Sequence, residues 1–129
     1  MNNKIINILL WLAQVTVAVM LFFGFYAKVL QPVEEAAKML PWVTEQPNLA
    51  TFTGIVDLLG ALGLILPALL RIQPKLTIYA AYGGILLMVA AIIFHVSRGE
   101  TEAIGFNFFL MALLGFIIWG RTKKVSIEG

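Results

Sequence analysis

Leu49-Ala-Thr-Phe52-Thr-Gly54-Ile-Val-Asp57-Leu-Leu-Gly60-Ala61-Leu-Gly63-Leu-Ile-Leu66-Pro67-Ala-Leu-Leu70 is an apolar run that contains a single charge, Asp57. At the 1.5 Å rise of a helix, such a run crosses the roughly 30 Å of hydrocarbon in a bilayer. A carboxylate at that depth costs roughly 2.5–3.5 kcal/mol or more unless it is paired, protonated or turned to water. Asp57 therefore either ties a helical bundle together or takes part in what the protein does.

Three further segments have the same character: Ile5–Ala27, Leu76–Phe94 and Ala103–Gly120 carry no charge at all. The 129-residue chain is 60% apolar and 12% charged, against about 25% charged for an ordinary soluble domain. Strands of a membrane barrel would be about ten residues long and would alternate, which these runs do not. The sequence predicts an all-α integral membrane four-helix bundle, a single domain over 1–129, with spans at about 5–30, 49–70, 74–96 and 102–120. Lys4 before an apolar stretch resembles a signal peptide, but the run exceeds the 7–15 residues of a signal core and no small-x-small site follows. It is expected to stay as the first span.

Several chemistries find no support. There are no cysteines and one histidine, His95, so dithiol exchange, thioether haem attachment and thiolate metal sites fall away, and no metal site is expected. No phosphate loop, nucleophile elbow or basic nucleic-acid cluster is present, so no nucleic-acid partner is expected. No reliable internal repeat is visible.

With four spans, the two termini and the 71–75 connection share a side. It carries Lys4, Arg71, Lys75, Arg121, Lys123 and Lys124 against Glu128 alone. The other side carries Lys28, Lys38 and Arg98 against Glu34, Glu35, Glu45, Glu100 and Glu102. Lys and Arg collect in cytoplasmic loops, so both termini are expected in the cytoplasm. The tail Arg121-Thr-Lys123-Lys124 could touch anionic headgroups but reads first as a topology anchor, and Lys123–Gly129 as frayed chain.

Between spans one and two, Pro32 with Glu34 and Glu35 signals a helix start, and Glu34/Lys38 stand at i,i+4. A short interfacial helix is expected at Val33–Leu40, broken by Pro41, with Trp42 at the headgroup level. Asn48 reads as the N-cap of span two. The short connection at Arg71 to Pro74 makes spans two and three antiparallel neighbours. Small residues trace packing stripes: Ala50, Gly54, Asp57, Ala61 and Ala68 on span two; Ala80, Gly84, Met88, Ala91 and His95 on span three; Gly105, Phe108, Ala112 and Gly115 on span four.

Each span also places one polar residue in the outer half of the membrane. Asp57 is about 12 Å deep and Asn107 about 8 Å at helical rise, while Lys28 and His95 lie in the last turns of spans one and three. Tyr26, Trp42, Arg98, Glu100 and Glu102 are expected above them as a rim. Gln14 shares a face with Val17, Leu21, Gly24 and Lys28. Two readings stay open: a polar network that fixes the bundle, with Lys28 neutralising Asp57, or an outward-facing pocket in which Asp57 and His95 bind a small head group or move a proton.

Four elements in order, Phe23-Gly24-Phe-Tyr-Ala-Lys28-Val29, Leu40-Pro41-Trp42-Val43, Phe52-x-Gly54-x-x-Asp57-x-x-Gly60-Ala61-x-Gly63-Leu-x-Leu66-Pro67 and Phe94-His95-x-x-Arg98-Gly99-Glu100, give the chain its resemblance. It resembles the DoxX-like family of small four-span bacterial membrane proteins from about Trp11 to Arg121. The acidic position in the third element looks like the family's Glu, one carbon longer than Asp57. The resemblance implies a bacterial cytoplasmic membrane. Relatives in the broader group look like small subunits of thiosulfate:quinone oxidoreductases, partners of redox enzymes, or chaperones for receptors. The expectation is an accessory or anchor subunit in the lipid bilayer, not an enzyme on its own, with a protein partner or a homo-oligomer. The competing expectations are a quinone-linked oxidoreductase component, with quinone as the one cofactor in view, and a carrier of a small lipophilic molecule or proton.

Overall fold

The computed structural model describes residues 3–73, 75–100 and 104–125. Helix α1 covers Asn3–Phe25 and ends in a wide π-turn, Tyr26–Leu30. The short helix α2 covers Val33–Met39 and leads into a 3-10 turn, Pro41–Thr44. The remaining long helices are α3 (Pro47–Leu70), α4 (Lys75–Ser97) and α5 (Ile104–Trp119), the last closing with a second π-turn, Gly120–Lys124. Pro74 and Glu102, expected at the starts of spans three and four, lie outside the described residues.

The four long helices form a bundle in which α1 packs on α3, α3 on α4, α4 on α5, and α5 back on α1. All four are long and apolar enough to cross a membrane. Their exposed faces are as apolar as their buried ones: Leu86 is 71% exposed, while the buried set includes Gln14, Asp57, Thr77, Asn107 and Arg121. In water that arrangement would aggregate; against lipid it is what burial of polar groups between helices requires. By helix composition this is a multi-pass membrane protein.

Local sequence explains where the elements stop. Leu40 leaves the helical region (φ −129°, ψ 79°), which a following proline disfavours, so α2 ends before Pro41. Helix α3 starts one residue before the expected cap: Pro47 occupies its first turn and Asn48 lies inside the helix, because proline is preset for that position. At the end of α4, Gly99 adopts φ 75°. The amide of Gly99 donates to the Val96 carbonyl at 3.1 Å and that of Glu100 to the His95 carbonyl at 2.8 Å. This Schellman turn folds Glu100 back over the last turn of its own helix.

The small-residue stripe expected on α3 is buried as read, with Leu64 added. On α4 the buried line is Thr77, Ala81, Gly84 and Met88; Gly84 and Met88 fall as expected, while Ala80, Ala91 and His95 are half-buried. On α5 the expectation fails. Gly105, Phe108 and Ala112 face outward, and the buried line is Asn107, Leu110, Leu114 and Ile117. Leu114 Cδ1 lies 2.9 Å from where a Cβ on Gly84 would stand, so the large side chains of α5 fill the space that the small ones of α4 leave.

Candidate functional site

Two glycines create the site. A Cβ on Gly24 of α1 would stand 2.6 Å from Asp57 Oδ2, and one on Gly54 of α3 would stand 2.7 Å from Val29 Cγ2 and 3.1 Å from Lys28 Cβ. Only glycine at both positions lets the end of α1 sit against α3 with the carboxylate between them. There Lys28 Nζ donates to Asp57 Oδ2 at 3.1 Å, with the two side chains 16% and 5% exposed. The π-turn that carries Lys28 widens the helix at this point, a distortion that recurs at functional positions.

Above the pair sits a cap with its own small core, in which Ala36, Trp42, Val43 and Ala50 are buried against Leu40, Leu49 and Phe94. Trp42 is 5% exposed, buried within the core of the cap. Its ring meets Phe94 edge-on at 5.1 Å and receives Lys28 Nζ at 5.7 Å. Lys38 pairs with Glu35 at 3.1 Å, an i,i+3 contact in place of the expected pairing with Glu34.

A chain of charges straps the cap to the α4–α5 turn. Arg98 Nη1 donates to Glu45 Oε2, Arg98 Nε donates to Glu100 Oε1 at 3.0 Å, and His95 Nδ1 stands 3.0 Å from the same Glu100 oxygen. An ionised Glu100 only accepts, so the His95 proton belongs on Nδ1 in this contact. The hydrogen bond from His95, with help from Arg98, holds the Glu100 carboxyl below its ordinary range. The hydrogen bond to Glu45 holds the Arg98 guanidinium above its ordinary value.

Between cap and bundle core lies a cavity of about 1030 Å³. Lys28, Asp57, His95 and Asn107, one from each long helix, all line it, as do Trp42 and Glu100. Tyr26 and Arg98 do not: Tyr26 is 44% exposed on the outer surface, and Arg98 stands behind Glu100. Glu102 lies outside the described residues. Two donors in this lining, Trp42 Nε1 and Asn107 Nδ2, are buried with no protein acceptor. Such groups cost about 1–3 kcal/mol each when left unmade. Two of the lining residues therefore each carry a donor whose hydrogen bond is unmade. Among the described residues, no three His, Cys, Asp or Glu side chains gather to hold a metal ion.

A second polar cluster, at the end where the termini lie, escaped the sequence reading. Arg121 is 2% exposed. Its Nε donates to Gln14 Oε1 and its Nη1 to Asn7 Oδ1, both at 2.7 Å, and Nη1 also donates to the Val125 carbonyl at 3.1 Å. Gln14 Nε2 in turn donates to the Leu64 carbonyl at 2.8 Å, and the Trp11 ring lies 5.5 Å from the guanidinium. Arg121 is thus a buried tie between α1 and the turn that closes α5. Lys123 and Lys124, expected frayed, belong to the ordered π-turn; 126–129 lie outside the described residues. The signal was present, since Asn107, Leu110, Leu114, Ile117 and Arg121 run at i,i+3/i+4 down one face.

Four long apolar helices around a capped cavity define, by helix composition, a multi-pass helical membrane protein. The chain belongs to the DoxX-like family, whose model matches residues 12–117. No curated protein and no solved structure matches it.

Proposed function

We propose that this protein is a binding subunit of the bacterial cytoplasmic membrane, with both termini in the cytoplasm and the capped cavity facing outward. In this reading the cavity holds a small lipophilic molecule with oxygen acceptors, and the chain serves a partner protein as an accessory or anchor. The observation that carries it is a pair of buried, unpartnered donors, Trp42 Nε1 and Asn107 Nδ2, that belong to two residues lining one cavity. The volume of about 1030 Å³ lies at the upper end of the roughly 300–1,000 Å³ usual for ligand sites. The surplus of Lys and Arg at the terminal end supports the orientation.

The accessory role follows from the chemistry available. Lys28, Asp57, His95 and Asn107 offer hydrogen bonds and places for a proton, but hydride or electron transfer needs a bound cofactor. The same two donors favour one second reading, a quinone-linked component. Trp42 and Asn107 would hold the quinone carbonyls beside the Phe94 ring, and the quinone would supply the two-electron chemistry.

Native mass spectrometry of the protein extracted in mild detergent tests the reading. The expected result is a small molecule retained by the wild type and lost from the Trp42→Phe/Asn107→Leu double variant, together with a stoichiometric protein partner. An empty cavity in wild type from gentle extraction, with the double variant indistinguishable, would overturn it.

A further inference from the structure

Part of the cavity wall is also part of the lipid-facing surface. Met20 and Phe23 of α1 and Phe106 of α5 line the cavity, yet they are 38%, 49% and 50% exposed on the outside of the bundle. Met20 and Phe23 are one helical turn apart on α1, and Phe106 lies in the first turn of α5, beside Asn107. The exposed lining residues of these two helices thus flank one seam, between α1 and α5, at the end that carries the cap.

The two helices are held together differently at their two ends. At the terminal end Arg121 bonds to Gln14 and Asn7, and Gly120 approaches so closely that a Cβ on it would stand 2.3 Å from Leu10 Cδ2. At the cap end the polar contacts of α1 run elsewhere, from Lys28 to Asp57 on α3 and to the Trp42 ring. A bundle latched at one end and apolar along the seam at the other opens most cheaply at the unlatched end.

Among the described residues, the charges that line the cavity are already matched. Lys28 is paired with Asp57, Lys38 with Glu35, and Glu100 with Arg98, while the open valences belong to the neutral donors of Trp42 and Asn107. A head group with a full charge would find no free counter-charge among the described lining residues and would carry its desolvation cost uncompensated. A neutral carbonyl or ester oxygen would satisfy the donors without that cost.

We infer that the α1–α5 seam at the cap end is a lateral portal, through which the cavity takes a bilayer-dissolved neutral amphiphile with a carbonyl- or ester-bearing head. The head meets Trp42 and Asn107, and the apolar chain leaves between Phe23 and Phe106 into the lipid. This rests on the reading that the cavity binds a ligand, and adds the ligand's phase, charge and route.

Trp42 reports on the cavity directly. The chain has three tryptophans, so Trp11→Phe/Trp119→Phe leaves Trp42 as the sole emitter in phosphatidylcholine bilayers. The probe is a monoacylglycerol with a dibrominated chain, a neutral ester whose bromines quench indole fluorescence. Because the protein contains no cysteine, a bulky maleimide can be placed at Phe106→Cys or Met20→Cys to obstruct the seam from either side. Ile93→Cys, exposed on α4 away from the cavity lining, is the labelled control.

The expected result is saturable quenching of Trp42 that is retained with the label at position 93 and lost with labels at 106 and at 20. Saturable quenching that survives both seam labels overturns the portal and leaves the ligand-binding reading intact. Quenching that rises only linearly with probe overturns the neutral-ester class, and the native mass spectrum then decides separately whether the cavity binds anything else.

Discussion

Gly24 of α1 and Asp57 of α3 face each other so closely that a Cβ on Gly24 would stand 2.6 Å from the Asp57 Oδ2 atom. The glycine is the space the carboxylate occupies, and Lys28, four residues further on, takes the same oxygen at 3.1 Å. The segment from Gly24 to Lys28 thus both makes room for a buried acid and neutralises it.

Gly24→Ala is therefore expected to destabilise the bundle, despite the better helix propensity of alanine. Overpacking of a tight contact costs about 1–3 kcal/mol, against a gain of up to about 1 kcal/mol from replacing glycine within a helix. Gly105→Ala is the matched control, since a Cβ there meets nothing within 4 Å. Thermal unfolding in detergent should give a lower midpoint for Gly24→Ala and no loss for Gly105→Ala. Equal midpoints would remove the steric account of the site.

The Lys28–Asp57 pair should behave as a unit. Breaking a buried pair by removing one partner costs about 3–5 kcal/mol, because the survivor is left uncompensated. Lys28→Met and Asp57→Leu are each expected to lower stability by that order. The double variant should recover most of the loss, giving a large coupling in a double-mutant cycle. Additive single losses would mean that the two groups do not depend on one another, and would leave Asp57 to answer to another partner.

How far these features were legible in the sequence follows from what each depends on. Asp57 and Lys28 stood out because charge in an apolar run is rare, and helical periodicity alone put Gln14, Gly24 and Lys28 on one face. The fold followed from run length. The buried ties of Arg121 went unread because a cation at the end of a span has an ordinary explanation in topology, and only its register with Asn107 and Ile117 pointed inward. The stripe on α5 was misread because small residues can serve either face; neighbours decide which, and α4 already supplied Gly84 for Leu114. The strap from His95 through Glu100 and Arg98 to Glu45 depends on a turn at Gly99 and on a contact across 53 positions of sequence, which no local pattern encodes.

At the opposite end of the bundle, Gln14 occupies a bridging position. It accepts from Arg121 Nε and donates to the Leu64 carbonyl, so one amide links α1, α3 and α5. Gln14→Leu removes a hydrogen bond to a charged group, worth about 1.5–3 kcal/mol, and strands the guanidinium partly unmade. Arg121→Met in that background should restore part of the loss by removing the stranded charge. A Gln14→Leu protein as stable as wild type would show that Asn7 and Val125 suffice to hold Arg121.

The cap strap should carry an acid limb. Glu100 is held below its ordinary range chiefly by the His95 hydrogen bond and then by Arg98. A carboxyl whose folded pKa is depressed contributes stability above its unfolded value, about 4.3 for Glu, and that contribution is lost as pH falls through the lower folded value. The groups facing it are His95 and Arg98 from its own turn and, through Arg98, Glu45 from the cap. The midpoint of thermal unfolding should therefore fall below about pH 4.3 in wild type. Glu100→Gln should lower the midpoint at neutral pH and flatten the acid limb, because the group that titrates has gone. Fluorescence of Trp42 in the protein lacking the other two tryptophans reads the same event locally, as a red shift when the cap lifts and water reaches the indole. If wild type and Glu100→Gln trace parallel curves from pH 7 to pH 3, the strap does not hold the cap, and the Trp42–Phe94 contact must do so alone.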